Sequence, residues 1–322
     1  MTHLSEMPKM MYWTEIFLFQ TMLLNIGDCT MLWQEWWTYD GISGPDFWGT
    51  HNPAWSLCSK GKYQSPIDVS PNKLIYDPNL KPLHIDNTKV DGTLVNTGHD
   101  ITYEVLQDSL EPPFTFSGGP LSYKYRVQRI KLHFGVVDAI GSEHTVAGKA
   151  FPIEIQIIGY NFDLYKNYTE ALFSTHGLAV FSILGILVDK GNEEFESIVN
   201  AARIIHLKKG SSRNISSFSI RNMIPKSDFF ITYEGSLTQP SCQETVTWIL
   251  MNRPLHVSQE QLKELRLLHS SESTPLMENN FRTPMPVNRR PVRTNINPKA
   301  EDKECSFKRT IYYKVNEHLI RQ

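Results

Sequence analysis

The chain has 322 residues, 40% of them hydrophobic and 20% charged, with a formal net charge of −2. That balance supplies a large core and excludes a strongly basic nucleic-acid binder or a polycationic membrane-surface protein. Four cysteines without a C-x-x-C pair exclude a small disulfide scaffold and a zinc ribbon, and no run of about 18 apolar residues reads as a spanning helix.

In chain order, Ile16 to Ile26 is an apolar stretch of signal-peptide length, followed by small residues near Gly27 to Thr30. Residues 1–30 are therefore expected to be a signal peptide, although Glu6 and Glu15 precede the stretch and Gln20 and Thr21 interrupt it. The competing reading is a short amphipathic or buried helix. The acceptor triplets Asn167-Tyr168-Thr169 and Asn214-Ile215-Ser216 add to the case for secretion with N-glycosylation. Trp33, Trp36, Trp37 and Trp48 form an aromatic entry expected to lie over the main core. The stretch G-K-Y-Q-S-P-I-D follows from Gly61 to Asp68, and from Leu83 to Phe134 short β-prone runs alternate with turn residues, as in an antiparallel sheet.

The stretch Arg129 to Asn161 organises the rest. Lys131 and His133 are two apart and share one face of a strand; Glu154 and Gln156 share one face of the next. Glu143 and His144 lie between them, in a layout suited to two metal ligands from one strand and one from its neighbour. Leu178 to Val188 reads as a strand buried on both faces. Glu193 to Leu207 places Phe195, Ile198, Val199, Ala202 and Ile205 at helical spacing. Ser258 and Gln261 form a capping box before a second helix carrying Leu262, Leu265 and Leu268. Strands dominate and the fold class is α+β.

G-K-Y-Q-S-P-I-D, the R-I-K-L-H-F-G / G-S-E-H-T / E-I-Q series and Y-E-G-S-L-T-Q-P together resemble the α-carbonic anhydrases. Their patterns at these places are G-x-x-Q-S-P-I-D/N, H-x-H-W-G, S-E-H-T and E-x-H. The resemblance covers about Trp36 to Asn297 and implies one domain, residues 31–297, around a twisted, mostly antiparallel sheet of about ten strands. It places the three zinc ligands on Lys131, His133 and Gln156, the proton-shuttle histidine on His99, and the hydroxyl–carboxylate pair on Thr238 and Glu143. Leu237 and Trp248 would line the pocket; Gln239 and Arg129 replace a threonine and a hydrogen-bonding glutamine.

Catalytic zinc of this kind needs three neutral imidazoles and one open position. An ammonium at Lys131 has no lone pair, and about 4 Å from the ion it meets at least about 4 kcal/mol of repulsion at an effective dielectric of 20. Gln156 offers a carbonyl oxygen, a poor zinc donor. The site is therefore expected to hold no zinc and to be catalytically silent. His133 is expected to be a hydrogen-bonded core histidine, and His99 an exposed turn residue. Lys131 is expected beside Glu154 or Glu143, and Thr238 with Glu143 as a structural pair.

The resemblance also implies a Cys58–Cys242 disulfide. Cys29 would leave with the leader or sit at the new terminus, leaving Cys305 as a candidate intermolecular thiol in the charged extension 298–322; a Cys29–Cys305 bridge is the alternative if Cys29 is retained. Lys131, Gln156, Cys58, Cys242 and the long tail resemble those of the secreted, non-catalytic branch of carbonic-anhydrase-related proteins (ten and eleven type). That branch implies an extracellular receptor of the neurexin type at synapses, and no membrane span. The rival expectation is weak zinc-dependent carbonate dehydratase or esterase activity, or another metal held through His133, Glu143, His144 and Glu154.

Overall fold

Alternating side chains set the two faces of the central sheet, and both faces are covered. The computed structural model describes residues 36–107, 112–270 and 276–297. The expected signal peptide with Cys29, then Trp33, and the extension with Cys305, lie outside the described residues.

The sheet is built from β1 (Val90–Asn96), β2 (Ile101–Val105), β3 (Tyr125–Phe134), β4 (Ile153–Asn161), β5 (Leu178–Leu187), β6 (Ser212–Phe218), β7 (Phe230–Gly235) and β8 (Val246–Met251). Their spatial order is β6-β1-β2-β3-β4-β5-β8-β7, continued by the two-residue strands Arg293–Thr294 and Ile75–Tyr76. Ten strands thus make its main path, and three more attach beside it. Pairing is antiparallel from β6 through to β5; β5 and β8 run parallel.

On one face Ile130, Leu132, Ile155, Ile157, Phe181, Ile183 and Ile249 join the larger core. Helix α1 (Glu193–Ile205) packs there through Phe195, Ile198, Val199, Ala202 and Ile205, with the Asn192 side chain accepting from the Phe195 amide as N-cap. Helix α2 (Gln259–Leu265) follows, opened by the expected capping box of Ser258 and Gln261. Leu268 is buried although the helix ends before it.

The opposite face carries Ile158, Tyr160, Val180, Leu184, Trp248 and Leu250 in a second core, and beside them Lys131, His133, Glu154 and Gln156. β5 is almost wholly apolar because both faces are covered, which is why it reads as a nearly continuous hydrophobic run, broken by Ser182.

Cys58 and Cys242 form a disulfide with Cα atoms 5.0 Å apart. It packs with Trp48 and Trp55 in a third, separate cluster that Trp37 and Tyr39 adjoin, while Trp36 remains half exposed. The buried Arg282 ties this corner together. Its guanidinium donates to Gln64 Oε1, to the carbonyls of Ser65 and Cys58, and lies 5.5 Å from the Trp48 ring centre.

Candidate functional site

The β3–β4 register sets Lys131 opposite Gln156 and His133 opposite Glu154. All four side chains leave the same face of the sheet, as their spacing requires. Beyond that, the structure corrects the expected partner of Lys131. Its ammonium lies 2.7 Å from Asp100 Oδ2, not beside Glu154 or Glu143. Asp100 is almost fully buried and accepts further hydrogen bonds from Thr97 and Thr102 hydroxyls and from Gln239 Nε2. Burial alone would raise this carboxyl. The Lys131 charge and the bonds from Lys131, Thr102 and Gln239 outweigh burial and hold it well below the usual carboxylate range.

The two expected carboxylates are already saturated, which explains why Lys131 turns away. Glu143 accepts from the Arg282 amide, from Gln156 Nε2 at 2.6 Å and from Thr238. Glu154 accepts from His144 through its amide and Nδ1, both at 2.8 Å, from Ser182 Oγ at 2.8 Å and from Gln156 Nε2 at 3.1 Å. Burial pushes Glu143 up, partly opposed by the charge of His133 and reinforced by Glu154. Burial also acts upward on Glu154, but His144 brings it below its ordinary value. The Thr238–Glu143 pair is present as expected.

His133 is wholly buried and hydrogen-bonded through Nδ1 to the Asn280 carbonyl at 2.7 Å. A carbonyl only accepts, so Nδ1 carries the proton in that bond. Nε2 is buried and has no hydrogen-bond partner. Donors for a metal at the three family positions therefore amount to one imidazole nitrogen, an ammonium already ion-paired, and an amide whose nitrogen is engaged by two carboxylates. His144 is committed at both ring nitrogens, to Glu154 and to the Tyr233 hydroxyl at 2.7 Å. Among the described residues no three His, Cys, Asp or Glu side chains are placed together to hold a metal ion.

The N-terminal segment closes over this floor. Tyr39 stands edge-on to the His133 ring at 6.4 Å, and its hydroxyl accepts from Gln239 Nε2 at 2.7 Å. Trp37 stacks flat on His99, 4.0 Å between ring centres. His99 is thus half-buried under an indole rather than an exposed turn residue, which corrects the sequence expectation; a flat imidazole face gains more from stacking than from water at this position. Leu237 packs against the second core and Trp248 lies within it, its Nε1 donating to Ser236 O. Arg129 sits 3.4 Å from Glu104 and over the Tyr168 ring.

Sequence reasoning missed Asp100, Tyr39 and Asn280. For Asp100 a signal existed: Asp100, Thr102 and Glu104 alternate with Ile101, Tyr103 and Val105, and Thr102 pairs with Lys131. Asp100 therefore shares a face with Lys131, one step along the neighbouring strand.

A buried-floor site of this kind, set between antiparallel strands on the covered face of a ten-strand path, defines the anhydrase class of fold. The family profile described as eukaryotic-type carbonic anhydrase matches residues 43–296. A Caenorhabditis elegans protein, described as putative carbonic anhydrase-like protein 2, is 36% identical over 267 residues, covering 80% of this chain and 79% of that protein. The chain belongs to the eukaryotic-type carbonic anhydrase family.

Proposed function

We propose that the protein is a secreted, catalytically silent member of this family, working as an extracellular binding protein with a receptor of the neurexin type as its partner. The observation that carries the silent reading is the 2.7 Å Lys131–Asp100 ion pair at the first ligand position. A protonated amine neutralised by a dedicated carboxylate takes the electrostatic place of a cation, and a second cation there would be repelled by it. One imidazole with an amide does not meet the donor requirement of zinc. Secretion is supported by the leader-like residues 1–30 and by the Cys58–Cys242 disulfide, since such bonds persist in oxidising compartments. Partner choice rests on the resemblance to the ten and eleven branch, with Cys305 as the thiol able to link to a partner.

The rival reading, a weak zinc-dependent dehydratase or esterase, draws on one feature only: His133 Nε2 is buried without a hydrogen-bond partner. Metal analysis of the purified secreted protein, together with a CO₂ hydration assay, separates the two. Metal well below one equivalent and hydration at the buffer rate are expected. Near-stoichiometric zinc with hydration above that rate overturns the proposal. Capture of the secreted chain by an immobilised neurexin ectodomain, absent with an unrelated ectodomain, tests the partner.

A further inference from the structure

An open sheet ends in two edges, and each presents unpaired amides and carbonyls on which another strand can add. Among the described residues one end of the main path is Ile75–Tyr76, two residues long, and the other is the seven-residue β6. β6 is bonded to β1 on one side. A bulge breaks its register between Ile215 and Phe218, with Ser217 at φ 55°, so its last part is already poor for strand addition. Its first four residues, Ser212 to Ile215, are regular. Ser212, Arg213 and Asn214 are exposed there.

Asn214 sits within that regular part and opens the triplet Asn214-Ile215-Ser216. In register it heads a row across the sheet, Asn214–Thr93–Glu104–Arg129, on the face that carries Lys131 and Gln156. Thr93 Oγ1 donates to Asn214 Oδ1 at 2.9 Å. The bond engages the amide oxygen of this exposed side chain and not its amide nitrogen. That nitrogen is the atom an N-linked sugar occupies.

We propose that Asn214 carries an N-linked oligosaccharide that closes the β6 edge against strand addition by a second copy of this chain. The inference rests on the secreted reading given above. In the step itself Asn214 Nδ2 bonds to the anomeric carbon of a lipid-pyrophosphate-linked oligosaccharide. The bond from that carbon to the pyrophosphate oxygen breaks, the pyrophosphate leaves with the electron pair, and the amide proton passes to base; nothing is oxidised or reduced. Sugar at this point adds bulk and bound water where a neighbouring strand would have to lie within about 4.8 Å.

Asn167 supplies an internal control. It is exposed, begins the triplet Asn167-Tyr168-Thr169, and uses Oδ1 to cap the short helix Tyr168–Leu172, away from the β6 edge.

The test uses full-length protein secreted from mammalian cells. Peptide mass spectrometry after peptide-N-glycosidase treatment reads which asparagines were modified, and light scattering over a concentration series reads association. Wild type is compared with Ser216→Ala, with Asn214→Gln, and with wild type deglycosylated without denaturant, which needs no refolding. The expected result is modification at Asn214, a monomeric wild type, and concentration-dependent dimers or larger species in all three forms lacking sugar at Asn214, with Thr169→Ala, which keeps that acceptor, remaining monomeric. Modification at Asn167 with none at Asn214 overturns the proposal, and so do unglycosylated forms that stay monomeric throughout. Retention of the chain in cells with neither asparagine modified sinks the secreted reading, and this inference with it.

Discussion

In the variant Asp100→Ala, Lys131 keeps its ammonium at a side chain only 12% exposed and loses a carboxylate oxygen 2.7 Å away. Breaking a buried pair from one side costs about 3–5 kcal/mol, because an uncompensated charge is left behind. Lys131 retains some contact with water, so the low end applies, about 3 kcal/mol. For a domain of this size that corresponds to a fall in Tm of about 6–12 °C. Lys131→Met should cost a similar amount, since it strands the carboxylate instead. The double variant Asp100→Ala/Lys131→Met should recover most of the loss, giving a coupling energy of about 2–3 kcal/mol. Urea unfolding followed by tryptophan fluorescence, with the disulfide kept oxidised, measures all four proteins. The pH dependence has a definite sign. Asp100 is depressed in the folded state, so its contribution is complete above its ordinary value of about 3.9 and is lost as pH falls through the depressed one. The difference between wild type and Asp100→Asn should therefore be flat from about pH 5 to 8 and shrink only below about pH 4. A cost below about 1 kcal/mol for Asp100→Ala, the range of exposed pairs, would refute the argument, and so would single-variant costs that simply add in the double variant.

Three further outcomes are expected. Lys131→His with Gln156→His restores three imidazoles and should confer stoichiometric zinc binding by metal analysis and calorimetry; a folded double variant without zinc would mean the floor has diverged beyond its ligands. Cys58→Ser with Cys242→Ser should destabilise the chain by about 2–4 kcal/mol and lower its yield in the medium, read by denaturant midpoint and immunoblot. Cys305→Ser should abolish any reducible dimer or receptor adduct on non-reducing gels; identical monomer bands for both proteins, with receptor binding unchanged, count against a linking role for that thiol.

Much of the fold was legible because its signals are local and repeat. The nearly continuous apolar run of β5, the helical spacing of α1 and the Ser258/Gln261 box each encode one element within a dozen residues. The helix end was less so: the expected segment runs to Leu207 but α1 stops at Ile205, a difference of the size helix ends usually show. At the site, the two-residue spacing of Lys131 and His133 gave the shared face correctly. It could not give the partner of Lys131, because that choice depends on which carboxylates are already filled. Glu143 is saturated by a backbone amide from Arg282, 139 positions away in sequence, and no local pattern encodes that bond. His99 shows the same limit, since its cover, Trp37, arrives from a segment 62 residues earlier.

The survival of Thr238–Glu143 and of the His144–Glu154 pair has a physical reason independent of catalysis. These side chains form one buried network: Glu143 to Gln156, Gln156 to Glu154, Glu154 to His144, His144 to Tyr233 and Tyr233 to Ser65. Replacing one member by an apolar residue strands its neighbours without water, at about 1–3 kcal/mol for each neutral group and more for a charged one. Lys131 and His133 belong to the same floor, but Lys131 stands at the rim with its own carboxylate, outside that chain of bonds. Gln156 is the exception that makes the rule clear, because its amide nitrogen serves both glutamates and so fits the network at a family ligand position. Substitution is therefore cheapest where the new side chain either meets a carboxylate outside that network, as Lys131 does at Asp100, or completes bonds its neighbours need, as Gln156 does. The hydroxyl–carboxylate pair thus has a role in the packing of the floor that needs no metal-bound hydroxide.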